Sequence, residues 1–155
     1  MNTAPLRILL ADDDEDDCFF FNEALADLPA PTTLTIVNDG EQLMELLRQP
    51  DTAPPQVLFL DLNMPRLSGI ECLTEIRHDA QLSQIPVIVL STFFGADVEA
   101  ALYALGARYC LRKPAQINRL SKVITEALAL AMPEILSPVL VADSKPGGGP
   151  AGNTQ

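Results

Sequence analysis

Asp61 closes the apolar run Val57-Leu58-Phe59-Leu60 and opens the turn Leu62-Asn63-Met64-Pro65. A carboxylate placed there stands at the mouth of a buried strand, where it can be reached, held rigid and made to react. Three other apolar runs end on polar side chains in the same way. Asp12-Asp13 follow Ile8-Leu9-Leu10-Ala11, Ser91 follows Val87-Ile88-Val89-Leu90, and Lys113-Pro114 come just after Tyr109-Cys110-Leu111. If these runs are strands of one open parallel sheet, their carboxyl ends meet along the edge where such sheets bind ligands. Three acids, a hydroxyl and a lysine gathered there describe a site for a phosphoryl group and a divalent metal. Crowded carboxylates repel one another, and a hard cation with oxygen ligands relieves that repulsion. A lysine is a point charge suited to a phosphoryl oxygen. A lysine before proline at a strand end is more often an ordinary surface residue, and only the constellation singles out Lys113.

The elements that must position these residues follow from hydrophobic spacing. Leu6 to Ala11 reads as a short buried strand. Cys18 to Leu28 has helical spacing, with Phe21, Leu25 and Leu28 on one stripe, and Pro29 and Pro31 end it. Phe19, Phe20 and Phe21 are consecutive, so they cannot share one stripe; Phe20 and Phe21 fit inward, which leaves Phe19 partly exposed for partner contact. Thr33 to Val37 is a strand rich in β-branched residues. Asn38 and Glu41 have capping-box spacing ahead of a helix that presents Leu43, Leu46 and Leu47, and Ser68 with Glu71 repeats the spacing ahead of Ile70, Leu73 and Ile76. Pro86 opens a strand to Leu90. Ala96 to Leu105 is helical and stops at Gly106, a left-handed cap. Tyr109 to Leu111 is short and extended, and Ile117, Leu120, Ile124 and Leu128 mark the last helix. Five strand–helix units in strict alternation favour an α/β fold, a parallel sheet with helices on both faces. From Pro133 the pattern dissolves, and Ser144-Lys145-Pro146-Gly147-Gly148-Gly149-Pro150 cannot build a core. Residues 1–132 are therefore expected to form the domain and residues 133–155 a disordered C-terminal tail.

Composition narrows the function classes. The 155 residues are 48% hydrophobic, ample for one core, and the formal net charge is -11 with a pI near 4.3. Nucleic-acid binders show a basic face, so none is expected here. Six consecutive acids, Asp12 to Asp17, account for more than half of that net charge. An apolar strand precedes the run and three phenylalanines follow it, which argues against disorder; Asp14, Glu15, Asp16 and Asp17 read as favourable charges at a helix N-terminus. Cys18, Cys72 and Cys110 form no CxxC pair, which fits a reducing compartment without a disulfide framework or zinc site. No segment approaches membrane-spanning length, so a cytoplasmic location and no membrane partner are expected.

With these residues in view, the chain resembles the receiver domain of bacterial two-component response regulators over roughly Leu6 to Leu130. The resemblance rests on Ile-Leu-Leu-Ala-Asp12-Asp13-Asp14, on Leu60-Asp61-Leu-Asn63-Met-Pro65 with Gly69, on Pro86-Val-Ile-Val-Leu-Ser91, and on Lys113-Pro114. The Asp-Leu-Asn-Met-Pro-Arg turn and the Ser91-Thr92 pair look most like stand-alone receivers of the chemotaxis and phytochrome-partner kind. The resemblance implies a flavodoxin-like, doubly wound, five-stranded parallel sheet in the order 2-1-3-4-5 with five helices. It implies that Asp61 takes a phosphoryl group from a phosphohistidine on a sensor histidine kinase or phosphotransfer protein. It implies Mg²⁺, ligated by Asp13, Asp61 and the Asn63 backbone carbonyl, with Asp12 acting mainly through water. Lys113 would contact the phosphoryl group, Ser91 would move toward it, and the Lys113-Pro114 bond would be cis. Thr92 also offers a hydroxyl, but counting from Pro86 favours Ser91. Such proteins relay a signal by contact with a downstream protein and turn over no metabolite.

One position departs from the family pattern. Receivers usually carry Tyr or Phe three residues before the lysine, where this chain has Cys110, with Tyr109 one place earlier. Phe93, Phe94, Tyr103 and Tyr109 are then the candidates to carry activation, on a face that could also serve as a homodimer contact. Two rivals are weaker. A haloacid-dehalogenase-type phosphatase needs a second acid two residues after its nucleophile, where Asn63 stands. A flavodoxin-like electron carrier needs a hydroxyl-rich phosphate loop where this chain has acids. His78, the sole histidine, has no assigned role.

Overall fold

The apolar runs do become strands. In the computed structural model, which describes residues 4–132, β1 (Leu6–Ala11), β2 (Thr32–Val37), β3 (Val57–Leu60), β4 (Val87–Ser91) and β5 (Tyr109–Arg112) form one parallel sheet. The strand order is β2-β1-β3-β4-β5. Every residue of β3 and β4 is buried, which is why these strands are continuous apolar runs and not alternating ones: both faces are covered. The register sets Ala11 beside Leu60, Leu60 beside Val89 and Ser91 beside Arg112. The residues that follow each strand therefore come level at one edge. Backbone bonds carry the pairing one step further: Asp12 N–H to the Val37 carbonyl (3.0 Å), Asp61 N–H to Ala11 (3.0 Å) and Lys113 N–H to Ser91 (2.8 Å).

Five helices cover the sheet: α1 (Glu15–Leu25), α2 (Gly40–Leu47), α3 (Gly69–Arg77), α4 (Ala96–Ala104) and α5 (Leu120–Ala131). On one face α1 and α5 press Phe21, Leu25, Ile124 and Leu128 onto Ile8, Leu10, Phe59 and Ile88, with the Phe21 and Phe59 rings edge to face at 4.9 Å. On the other, α2, α3 and α4 bring Leu43, Leu73, Ile76 and Leu102 against Leu9, Leu58, Leu60 and Val89. Each such side chain contributes about 1.5–3 kcal/mol on leaving water, so the two layers hold the sheet edge in place.

Local chemistry shifts several expected boundaries. α1 begins earlier, at Glu15, and ends at Leu25; the backbone N–H groups of Ala26, Asp27 and Leu28 donate to carbonyls three residues back, a tight turn before Pro29. The cap of α2 is Asp39, which accepts from Gln42 N–H at 2.8 Å while the Gln42 side chain accepts from Asn38 N–H, one residue later than the Asn38–Glu41 spacing suggested. The Ser68–Glu71 capping box is complete. Ile70 points to solvent and Cys72 joins Leu73 and Ile76 inside, because the first residues of α3 ride over the β3 loop. Ile117 is exposed in a short 3₁₀ turn, and α5 starts at Leu120. Gly106 ends α4 with φ +102°, a conformation that suits glycine. The tail expected over 133–155 lies outside the described residues.

Candidate functional site

Three polar side chains are buried among the described residues, Asp12, Asp61 and Ser91, and all three lie at the carboxyl edge of the sheet. Burying a polar group without a partner is costly, so each must be bonded, and each is.

Asp12 directly follows β1 and turns the chain into α1. Its Oδ1 accepts from Asp14 N–H at 3.0 Å, and Asp14 in turn caps α1 by accepting from Asp17 N–H at 2.9 Å. Those two turns aim Asp13 outward and fold Asp17 back toward the strand ends. The Asp12 carbonyl accepts from the Asn38 side chain (3.2 Å) and the Cys18 thiol (3.4 Å). Burial pushes the Asp12 carboxyl up to about 6, against the pull of Lys113 and the Asp14 amide.

Asp61 ends β3. Its Oδ1 accepts from Ser91 Oγ at 3.1 Å and from Asn63 N–H at 3.3 Å, while its Oδ2 faces the Lys113 ammonium at 3.4 Å. The loop behind it is shaped by a close approach: a Cβ at position 69 would run into the Asp61 carbonyl and the Leu62 Cα, so only glycine lets α3 begin there. Gly69 N–H closes the loop on the Leu62 carbonyl at 2.9 Å.

Lys113 follows β5 and reaches across the edge. Its Nζ lies 2.8 Å from Asp12, 2.7 Å from Asp17 and 3.4 Å from Asp61. Burial alone would lower the ammonium's pKa, but the bonds to Asp12 and Asp17 and the nearby Asp61 outweigh it and raise it well above the ordinary lysine value. One cation thus faces three carboxylates, with Asp13 close to two of them. Oxygen atoms of Asp12, Asp13 and Asp61 lie within 4.8 Å of one another, an all-oxygen donor set that fits a hard divalent cation.

The site residues expected from sequence do come together: Asp12, Asp13, Asp61, Ser91 and Lys113 share one cluster, and the Asn63 amide sits on Asp61. Ser91, not Thr92, is the buried hydroxyl. The Lys113-Pro114 bond is trans, against the expectation of cis. The sequence marks Asp17 only as a helix charge, whereas in the structure it also pairs with Lys113. The reason is the helix start: α1 begins at Glu15 and not Cys18, and the capping turn of Asp14 returns Asp17 to the site.

Beside Ser91 the character changes. Cys110 is buried, and the Tyr103 hydroxyl, from α4, accepts its backbone N–H at 3.1 Å. Phe94 is buried with the Arg112 guanidinium 5.4 Å from its ring, and Arg112 also donates to the Phe94 carbonyl at 3.1 Å. Phe93 is exposed. No described helix is long and apolar enough to cross a membrane.

Comparison with known proteins places this geometry. The model of the response regulator receiver domain matches residues 8–125. Response regulator Rcp1 of Synechocystis sp. PCC 6803 is 34% identical over 124 residues, covering 77% of this chain and 84% of that protein. The crystal structure of the phosphorylated cyanobacterial phytochrome response regulator RcpA is similar at a TM-score of 0.77 and 32% identity, over 83% of this chain and 95% of that one. The Mn²⁺-bound form of Rcp1 is similar at a TM-score of 0.74 and 31% identity, over 83% of this chain and 96% of that one.

Proposed function

This chain belongs to the response regulator receiver domain family, and on that premise we propose that Asp61 is its phosphoacceptor. The observation that carries the reading is the bonding of Asp61: Ser91 and the Asn63 amide fix one carboxylate oxygen, and the other faces Lys113. A carboxylate so oriented is a competent nucleophile once the charge of the incoming group is offset. An Asp61 oxygen forms the new O–P bond as the P–N bond to the donor's imidazole breaks, and the imidazole nitrogen keeps the bonding pair. Lys113 supplies fixed positive charge to the phosphoryl oxygens, and Ser91 is the hydroxyl placed to donate to them.

Asp13, Asp61 and the Asn63 carbonyl would hold Mg²⁺, with Asp12 acting through water; bound there, the ion supplies the positive charge that one lysine among four carboxylates does not. That the similar response regulator Rcp1 has a Mn²⁺-bound form supports a divalent cation for this chain. The donor is a sensor histidine kinase or phosphotransfer protein. We assign its contact to Phe19 on α1, 58% exposed and packed edge to face on Phe20, which lines a cavity with Asp12, Asp17 and Lys113. The output is a protein contact on the α4–β5 face, with no metabolite turned over.

Intact-mass measurement after incubation with acetyl phosphate tests the reading. One phosphoryl group is expected on the wild type with Mg²⁺, and none on Asp61→Asn or in EDTA. Equal labelling of the wild type and Asp61→Asn would overturn the assignment.

A further inference from the structure

Lys113 has three N–H bonds to give, and three carboxylates take them: Asp12, Asp17 and Asp61. A phosphoryl group arriving on Asp61 needs one of those donors. Asp12 is held in place by the Asp14 turn and is 2% exposed, so releasing it would strand a buried carboxylate. The bond to Asp61 is the longest of the three and is the one that phosphorylation itself rearranges. Asp17 makes the shortest contact, at 2.7 Å, yet its side chain is 38% exposed, so water can replace the lysine there at little cost.

We infer that Asp17 is a positioning residue: it holds the Lys113 ammonium toward α1 and competes with the phosphoryl group for it. The inference rests on the reading of Asp61 as phosphoacceptor and deepens it, because it names the side chain that sets how readily the site accepts the group. Asp17 acts in two ways with the same sign. It occupies a donor that the phosphoryl oxygens require, and it adds a negative charge that repels an anionic phosphodonor. Its helix-capping environment is separate, since the Asp14 side chain bonds the Asp17 backbone and leaves the Asp17 carboxylate to the lysine.

The test is Asp17→Asn in the full chain with Mg²⁺, read by calorimetric titration with beryllofluoride and by the rate of acetyl phosphate labelling across donor concentrations. One partly exposed charge contact corresponds to about fivefold in an equilibrium constant, so beryllofluoride should bind about fivefold more tightly. The KM for acetyl phosphate should fall to match, with kcat within about twofold of wild type. Asp17→Glu, which keeps the charge, should return both values toward wild type. Unchanged or weaker beryllofluoride binding by a folded Asp17→Asn protein overturns the inference, since a merely structural acid would leave the affinity alone or lower it. Should that variant fail to fold, Asp17→Ser is judged on the same readings. Asp61→Asn, run beside them, separates the two ideas. If it takes up label like the wild type, the phosphoacceptor reading fails; if it does not, and Asp17→Asn is unchanged, the positioning role alone fails.

Discussion

The two sides of Asp61 are built from different forces. Toward α1 every contact is charged: three carboxylates converge on one ammonium within 3.4 Å, tied down by the Asp12 and Asp14 turns. Toward α4 and β5 the one side-chain contact comes from an uncharged donor, the Ser91 hydroxyl, and beyond it lie apolar side chains such as Phe94, Leu102 and Cys110. The charged side keeps the family's pattern, while the apolar side departs from it, with a cysteine at the usual aromatic position and a tyrosine on the neighbouring helix bonded to its backbone. The chemistry needs particular atoms at particular places and tolerates little drift. A packed surface that passes a signal on can exchange one aromatic for another, as long as something fills the space.

If that contrast is right, perturbing one side should leave the other's readout alone. The largest effect is expected for Lys113→Met. Acetyl phosphate labelling should fall about 100-fold, as when one charge-stabilising donor is removed from a reaction centre. A methionine neighbouring three carboxylates should also lower stability, by about 3 kcal/mol in urea unfolding. Near-normal labelling would dissolve the charged side as a functional unit.

Next in size is Gly69→Ala. The added methyl group meets the Asp61 carbonyl and the Leu62 Cα, and the loop must move. A stability loss of about 3 kcal/mol and slower labelling are expected, with both effects traceable to the backbone of Asp61. A variant as stable and as reactive as the wild type would show that the loop is not what sets the carboxylate.

The pH dependence sharpens the same side. Burial raises the Asp12 carboxyl from 3.8 to about 6, so between those values the native chain holds a proton that the unfolded chain has released. Stability in EDTA should therefore fall as pH rises from about 4 to about 6, by on the order of 2 kcal/mol, and level off above. Mg²⁺ should flatten the slope by favouring the ionised carboxylate. Urea midpoints across this range, with and without the ion, give the answer; a flat profile in EDTA would mean that Asp12 is not desolvated as its burial indicates.

The smallest effect belongs to the apolar side. Tyr103→Phe keeps the ring and loses the hydroxyl that accepts from Cys110 N–H, a loss of about 1 kcal/mol. Hydrogen exchange at the Cys110 amide should quicken, and labelling of Asp61 should not change. A drop in labelling would join the two sides that the structure keeps apart.

The five strands and the five clustered side chains were legible because long apolar runs and strand-end polar groups are strong signals that tertiary packing reinforces, whereas the strand order followed from the family resemblance alone. Shorter-range features were harder to read. Which of Asn38 or Asp39 caps α2 depends on a single backbone turn, and Asn, Asp, Ser and Thr all satisfy that position. The inward face of α3 slipped from Ile70 to Cys72 for a similar reason, since periodicity fixes a stripe but not its first residue. Asp17 escaped because six acids in succession carry no periodicity, and only the capping geometry distinguishes one from the next.

The three thiols lead somewhere else. Cys18, Cys72 and Cys110 are all buried, and burial pushes them up to about 11, 12 and 11. Little thiolate exists at neutral pH, so thiol-directed reagents should react slowly with the three native cysteines of the folded chain, even though Cys18 lies directly beneath Asp12. While folded, the protein offers a background of buried, slow-reacting thiols. A single cysteine introduced on the surface could carry a spectroscopic probe without first removing the native three, and any reaction of those three would report unfolding.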